Sequence, residues 1–297
     1  MRQVLLTAGF GDPLSQEDRS WIRGRGFAGV RSDYGPGVLA ALYATPLRTL
    51  VIACDRERPH EFVVDRVVAI CREMRNLGYL HHRPGPIPAI EPMNEPDLDP
   101  YWKTRPRELA DAIWECWRIA QAFSRGIMVV TPGISNLHQK GLAYLEAMVS
   151  AGIPDDVVVG FHRYPAKSDP TAAHDGFKDR WAEVRRLLAL AGSRKLWCTE
   201  TGWSSGPLEK PRRVPFCWFT KKVWLSEEQV ADFASTELRF WARVPEVESL
   251  TWYQINSGPN RNDPEDNFGL RTYPDRANTI LARWMPELIK EVTSCDN

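Results

Sequence analysis

Ile87-Pro88-Ala89-Ile90-Glu91-Pro92-Met93-Asn94-Glu95-Pro96-Asp97 opens as a short apolar run and ends abruptly in amide, carboxylate and proline. A run of that length, bounded by turn residues, reads as a buried strand over 87–93 that gives way to a loop at Asn94. Beyond the loop, Leu109, Ile113, Cys116, Ala120 and Phe123 recur at three- and four-residue steps, the apolar stripe of one helix. Strand, loop, helix is the local pattern.

Working outward, the pattern repeats along the whole chain. Strand candidates lie at 3–8, 27–32, 48–53, 87–93, 127–131, 156–162, 195–200 and 249–255. Helical stripes stand between them: Val63, Val67, Ile70, Met74 and Leu77 after the third strand, and Phe177, Trp181, Val184, Leu188 and Ala191 after the sixth. Gly78 and Gly192 follow their stripes at C-cap spacing. Strand-then-helix repeated eight times, without hairpin signals, predicts an α/β fold with a parallel sheet. Eight units close as a (β/α)₈ TIM barrel, here one catalytic domain over 1–297; an open doubly wound sheet is the alternative. No G-x-G-x-x-G follows the first strand, which disfavours a dinucleotide-binding sheet. The longest irregular stretches, 204–225 and 256–275, follow the seventh and eighth strands. In a barrel they lie at the face where active sites form.

The balance of 38 basic and 38 acidic residues argues against a nucleic-acid partner, since such proteins carry a basic excess or a basic face. No apolar run is long enough to span a membrane. The start, Met1 to Phe10, has too short an apolar stretch for a signal peptide, which favours the cytoplasm as written, or secretion if a leader was removed. Six cysteines form no C-x-x-C pair, so a zinc site is not expected, and they read as reduced buried thiols. Twelve tryptophans exceed what a core of 297 residues needs, and tryptophan is a residue of recognition surfaces.

The seventh strand ends Leu196-Trp197-Cys198-Thr199-Glu200-Thr201-Gly202-Trp203. Like the fourth, it places a glutamate where strand gives way to loop. Two carboxylates on different strand ends, facing one cavity, are the pair that glycoside hydrolysis needs: one a protonated acid, the other an ionised nucleophile.

With these residues in hand, the chain resembles glycoside hydrolase clan A, barrel enzymes with catalytic glutamates at strands four and seven. The resemblance implies that Glu95 in Asn94-Glu95-Pro96 is the acid/base and Glu200 the nucleophile. Phe161-His162-Arg163-Tyr164-Pro165 resembles the His-x-Tyr of family 5, with His162 and Tyr164 lining the cleft or touching the nucleophile. Arg31 is similar to the arginine that keeps the nucleophile ionised, and Trp252 to the aromatic floor beneath the sugar. The resemblance is spread over families. Thr199-Glu200-Thr201-Gly202-Trp203 is similar to family 17 and Asn94-Glu95-Pro96-Asp97 to family 39, while Cys54-Asp55-Arg56 lacks the histidine family 5 often has there. It also implies a cis peptide after Trp252.

Elementary chemistry assigns compatible roles. Asn94 and Glu95 are neighbours and point to opposite faces of a regular strand, so both reach the cavity only through a bulge or bend. Asn94 then offers its amide to the sugar 2-hydroxyl. Arg31 and Tyr164 donate to Glu200 and hold its pKa low. Arg31 can equally be an interior ion pair with Glu91, and His162 a satisfied core histidine. Trp114, Trp117 and Trp181 sit in helical stripes and read as packing residues. Trp102, Trp203, Trp218, Trp224 and Trp252 lie at strand ends or loops and are candidates to stack on pyranose rings, with Asn256 beside them in the last loop. Lys210, Arg212, Arg213, Lys221 and Lys222 make the seventh loop basic, which suits a solvated loop or an acidic glycan.

The expected function is a retaining β-glycoside hydrolase, glucanase-like and endo-acting, using no cofactor and taking a carbohydrate as its partner. Transglycosylation is a variant of the same chemistry. A non-catalytic glycan-binding barrel is the alternative class. A metal-dependent hydrolase needs inward histidines that the first strand does not supply, and His81-His82 lies in a Pro/Gly-bounded loop. The carboxyl groups of Glu95 and Glu200 are expected about 5–5.5 Å apart, the retaining spacing. Sugar, linkage and oligomeric state stay open at this level.

Overall fold

Apolar runs and helical stripes fold as strand and helix in alternation. The elements are β1 (Gln3–Thr7), α1 (Gln16–Gly24), β2 (Gly29–Asp33), α2 (Val38–Tyr43), β3 (Arg48–Cys54), α3 (His60–Asn76) and β4 (Ala89–Met93). They continue with α4 (Pro106–Phe123), α5 (Gln139–Ser150), β5 (Val159–Arg163), α6 (Arg180–Ala191), β6 (Leu196–Thr201), α7 (Glu227–Trp241), β7 (Val247–Trp252) and α8 (Ile280–Thr293). The computed structural model describes residues 1, 3–8, 13–43, 45, 47–54, 58–80, 86–164, 170–203, 225–255, 269–271 and 276–294. Two of the sequence-based expectations, the basic loop and Asn256, lie outside the described residues, as do Trp218 and Trp224.

The seven strands form one sheet in the order β4-β3-β2-β1-β7-β6-β5, and every neighbouring pair is parallel. The expectation of eight strands is corrected at 127–131. That segment makes single parallel bridges, Ile90 with Val129 and Val130 with Val158, and no strand. Its N–H and C=O groups are nonetheless used on both sides: Ile90 N–H donates to the Met128 carbonyl at 2.9 Å and Thr131 N–H to the Val158 carbonyl at 2.7 Å. The ladder stops there because Pro132 has no N–H to give, and the Gly133 N–H donates at 2.9 Å to the Glu91 carboxylate instead. Among the described residues the fold is therefore α/β, a seven-stranded parallel sheet with eight helices.

Side chains alternate between the two faces of each strand. Val51, Ile90, Val159 and Cys198 join a large apolar cluster with helix residues such as Val67, Ile113, Val184 and Leu238. Their neighbours Leu50, Ala89, Val158 and Trp197, with Val130, form a second small cluster on the opposite face. That inner face matters for the site, because Arg31 pairs in register with Leu50 and Glu91 lies two residues beyond Ala89.

Local signals hold at the helix ends. Gly78 follows α3 at φ 80° and Gly192 caps α6 at φ 63°, conformations that disfavour other residues. Asp179 accepts from Ala182 N–H at 2.7 Å to cap α6, and Ser226 with Gln229 forms a reciprocal capping box on α7. Among the described residues Cys54, Cys71, Cys116 and Cys198 are buried, as expected of core thiols.

Candidate active site

At the C-terminal end of β4 the chain turns sharply. Glu95 takes a left-handed backbone, φ 43°, a conformation that costs a non-glycine residue about 1–2 kcal/mol. The turn is what brings two sequence neighbours to one cavity: Asn94 Oδ1 accepts from Arg31 Nη2 at 2.8 Å, and Glu95 Oε1 lies 3.2 Å from His162 Nδ1. Just beyond, Asp97 ties the loop down by accepting from Ser135 N–H at 2.8 Å and from its hydroxyl at 2.6 Å.

Glu200 reaches the same cavity by a different device. On β6, Trp197 faces the inner cluster and Cys198 the outer one, so strict alternation turns Thr199 inward and Glu200 away. The register with β5 pairs Phe161 with Cys198 but His162 with Glu200, leaving Thr199 as an extra residue. The register with β7 shifts over the same residues. This is a β-bulge, which re-aims the following side chain. A bulge or a bend was expected at the end of β4: β4 bends through the left-handed turn at Glu95, and a bulge, not foreseen, is on β6.

Around Glu200 the donors converge. Arg31 Nη1 donates to one carboxylate oxygen, Tyr164 Oη donates to the other at 2.5 Å, and His162 Nδ1 lies 3.5 Å away. Burial pushes the Glu200 carboxyl up, but the charges of His162 and Arg31 and the bonds from Tyr164 and Arg31 outweigh it, holding the group below the usual carboxylate range. Arg31, itself buried, also pairs with Glu91 through Nε at 2.8 Å. Both readings of Arg31 therefore describe one residue, an interior ion pair that also serves Glu200. His162 is fully buried; burial lowers its pKa, but Glu200 and Glu95 raise it more. Gly133 makes room for its ring, since a Cβ there would stand 2.5 Å from His162 Cδ2 and Nε2.

Glu95, His162 and Glu200 each offer a ligand atom within 4.8 Å of one another, a set that could hold a cation. Binding one through Glu200 means displacing Arg31 or Tyr164 from its oxygens, beside a fixed positive charge.

The tryptophan assignments need correction. Trp102 and Trp252 are 0% exposed and Trp203 is 3% exposed. Trp203 packs tilted against Trp252, with ring centroids 5.9 Å apart, and edge-on against Phe233 of α7 at 6.1 Å. Trp102 donates its indole N–H to the Arg58 carbonyl at 2.8 Å. None of the three is a free stacking surface. The helix tryptophans behave in the opposite way, with Trp114 46% and Trp181 43% exposed. Position along the chain does not reveal how deep a ring will lie. The residue that sequence reasoning missed is Tyr253. It follows Trp252 by one, is half-buried, and its ring stands 6.5 Å from that of Tyr164. The cis peptide expected after Trp252 is found one residue on, at Tyr253–Gln254.

No protein-family model matches the chain, and no curated protein matches it in sequence. Solved structures do match over nearly the whole chain. A family 39 glycoside hydrolase from Bacteroides cellulosilyticus WH2 is 15% identical with a TM-score of 0.67, covering 97% of this chain and 64% of its own. A GH5_18 protein from Streptomyces cattleya, solved with GlcNAc, is 16% identical with a TM-score of 0.66, covering 100% and 81%. An endo-β-1,4-glucanase from Xanthomonas axonopodis pv. citri is 11% identical with a TM-score of 0.65, covering 99% and 100%. Some matching structures are much longer, so that this chain spans only 42% and 44% of two of them. At these identities the likeness is one of fold. The neighbours are glycoside hydrolases of more than one family, which agrees with the clan A resemblance and singles out no family.

Proposed function

We propose that the chain is a retaining β-glycoside hydrolase of the clan A type, with Glu200 as nucleophile and Glu95 as acid/base. The segment 127–131 then serves as the eighth stave of the barrel, and the substrate is a β-linked glucan or related glycan cut internally. One observation carries the reading: two carboxylates from different strand ends stand with oxygens within 4.8 Å, and Glu200 is held by cationic and hydroxyl donors. An approach that close is compatible with the about 5–5.5 Å spacing of retaining enzymes.

The chemistry follows from the contacts. Glu200, ionised, attacks the anomeric carbon while Glu95 gives its proton to the departing oxygen. His162 Nδ1, 3.2 Å from Glu95 Oε1, fixes the Glu95 carboxyl beside Glu200. Asn94 has its carbonyl oxygen committed to Arg31, so its N–H₂ is left to donate to the sugar 2-hydroxyl as the oxocarbenium charge develops. In the second step Glu95, now a carboxylate, deprotonates the water that releases the sugar. Tyr253 replaces Trp252 as the aromatic beside the cleaved sugar.

Glutamate variants assayed on aryl β-glycosides and β-glucans test the reading. Glu200→Ala is expected to lose turnover on every substrate. Glu95→Ala is expected to keep reacting with activated aryl glycosides, to stall at the intermediate, and to recover with azide, giving the β-glycosyl azide. Full activity in both variants contradicts the assignment and favours a glycan-binding barrel.

A further inference from the structure

We propose that Asp97 is a positioning residue for Glu95, holding it through Ser135 and the backbone of His162; the functional half of this rests on the glycosidase reading above. Asp97 is half-buried in the loop after β4, two residues beyond Glu95. Both its carboxylate oxygens are engaged by Ser135, Oδ1 by the N–H at 2.8 Å and Oδ2 by the hydroxyl at 2.6 Å. Its work is therefore done on the loop that carries Glu95.

Glu95 holds a conformation that its own sequence opposes. Left-handed backbone, φ 43°, is disfavoured for a residue with a Cβ, and the following Pro96 pushes its predecessor toward extended backbone. Such a conformation persists only where the surroundings over-determine it. One constraint is local: Leu98 N–H donates to the Glu95 carbonyl at 3.1 Å, closing a turn over Pro96 and Asp97. A turn closed on itself can still swing as a unit. Asp97 anchors it to a different part of the chain.

That anchor point is fixed from both sides. Ser135 is buried, and just before it Gly133 N–H donates to Glu91 of β4 at 2.9 Å. Ile134, fully buried, makes a parallel bridge with Phe161 of β5, and its carbonyl accepts from the His162 N–H at 2.9 Å. His162 in turn sets Nδ1 3.2 Å from Glu95 Oε1. The contacts close a ring: from Glu95 along the chain to Asp97, across to Ser135, back to Ile134, across to His162, and from its imidazole to the Glu95 carboxyl. Backbone and side chain of Glu95 are thus both referred to the segment 133–135. Breaking the Asp97 link opens the ring on the backbone side. Glu95 then relaxes toward extended backbone and carries its carboxyl away from His162.

Leaving-group dependence is the test, because the first, bond-breaking step, which kcat/KM reports, needs its acid more as the leaving group worsens. In Asp97→Ala, kcat/KM on a phenyl β-glycoside should fall about ten- to a hundredfold, the scale of a displaced catalytic group, while that on the dinitrophenyl β-glycoside should hardly change. A variant that only folds less well loses both rates in the same proportion. That result, or no loss at all, overturns the proposal. Asp97→Asn can keep both bonds, its amide reversing the one to the hydroxyl, and should restore most of the lost rate; an Asn variant as slow as the Ala variant places the effect in the charge of Asp97 and overturns positioning. Ser135→Ala removes the hydroxyl bond alone and should show a smaller loss of the same kind; a loss equal on both substrates counts against the proposal. Glu95→Ala in the same assays separates the two readings, since a loss there that ignores the leaving group contradicts the acid/base assignment itself. The geometric half stands apart from activity. Crystals of Asp97→Ala should show Glu95 out of the left-handed region and its carboxyl withdrawn from His162, and an unmoved Glu95 overturns the proposal whatever the rates.

Discussion

Glu200 has Arg31, Tyr164 and His162 around it, and the first two make separate predictions. Arg31 neutralises two buried carboxylates, Glu91 and Glu200. Replacing it with Met leaves Glu91 without its cation and Glu200 with His162 and Tyr164 alone, and breaking a buried pair in this way costs about 3–5 kcal/mol, to be read from urea unfolding. Tyr164→Phe removes one hydrogen bond and no charge. Because that bond favours the ionised carboxylate, the acid limb of kcat/KM should climb in the variant, starting from a native limb below the usual glutamate value of about 4.3. An unchanged limb contradicts the assignment of Tyr164. Arg31, Asn94, Glu95, His162, Tyr164 and Glu200 were all legible as residues, since each type has few uses at the end of an inward strand. Less legible was how they share work: Arg31 reaches three acceptors through three different nitrogens, which only the folded geometry reveals.

Elements decide which way a side chain faces, and there the sequence was informative only where the strand stayed regular. The parallel order and seven of the eight strands could be read from apolar runs, because a buried strand must be apolar on both faces. Thr199 looks like any strand residue, and the bulge it makes exists only through the neighbours' register. The same blindness misplaced the tryptophans. Trp252 is buried against Trp203 while its neighbour Tyr253 is half-buried beside Tyr164, so one step along the chain changes the candidate. Trp252→Ala is expected to cost about 3–5 kcal/mol of stability, the loss for a buried aromatic, in denaturant unfolding. Tyr253→Ala is expected to leave unfolding nearly unchanged and to raise KM for aryl glycosides several-fold. The reverse pattern returns the sugar floor to Trp252.

At the scale of the molecule, the site is also a stability device. Asp18, Glu183 and Glu200 are carboxylates that burial pushes up but that Arg271, His174 and Arg163, and His162 with Arg31, hold below the usual range. A depressed folded-state pKa stabilises the protein above the unfolded value and is lost as pH falls through the folded one. His162 works in the other sense: its raised pKa stabilises below about 6.5 and is lost as pH rises through the folded value. The unfolding midpoint should therefore fall steeply below about pH 4, and this fall should be shallower in Glu183→Gln. Among the described residues no helix is long and apolar enough to cross a membrane. As proposed nucleophile, Glu200 must form a covalent bond to the sugar, and Glu95 must not. The decisive measurement is mass spectrometry of Glu95→Ala quenched during reaction with an activated aryl β-glycoside. One added glycosyl unit is expected on the peptide that carries Glu200; a label on any other peptide, or turnover with no labelled enzyme, rules out that role.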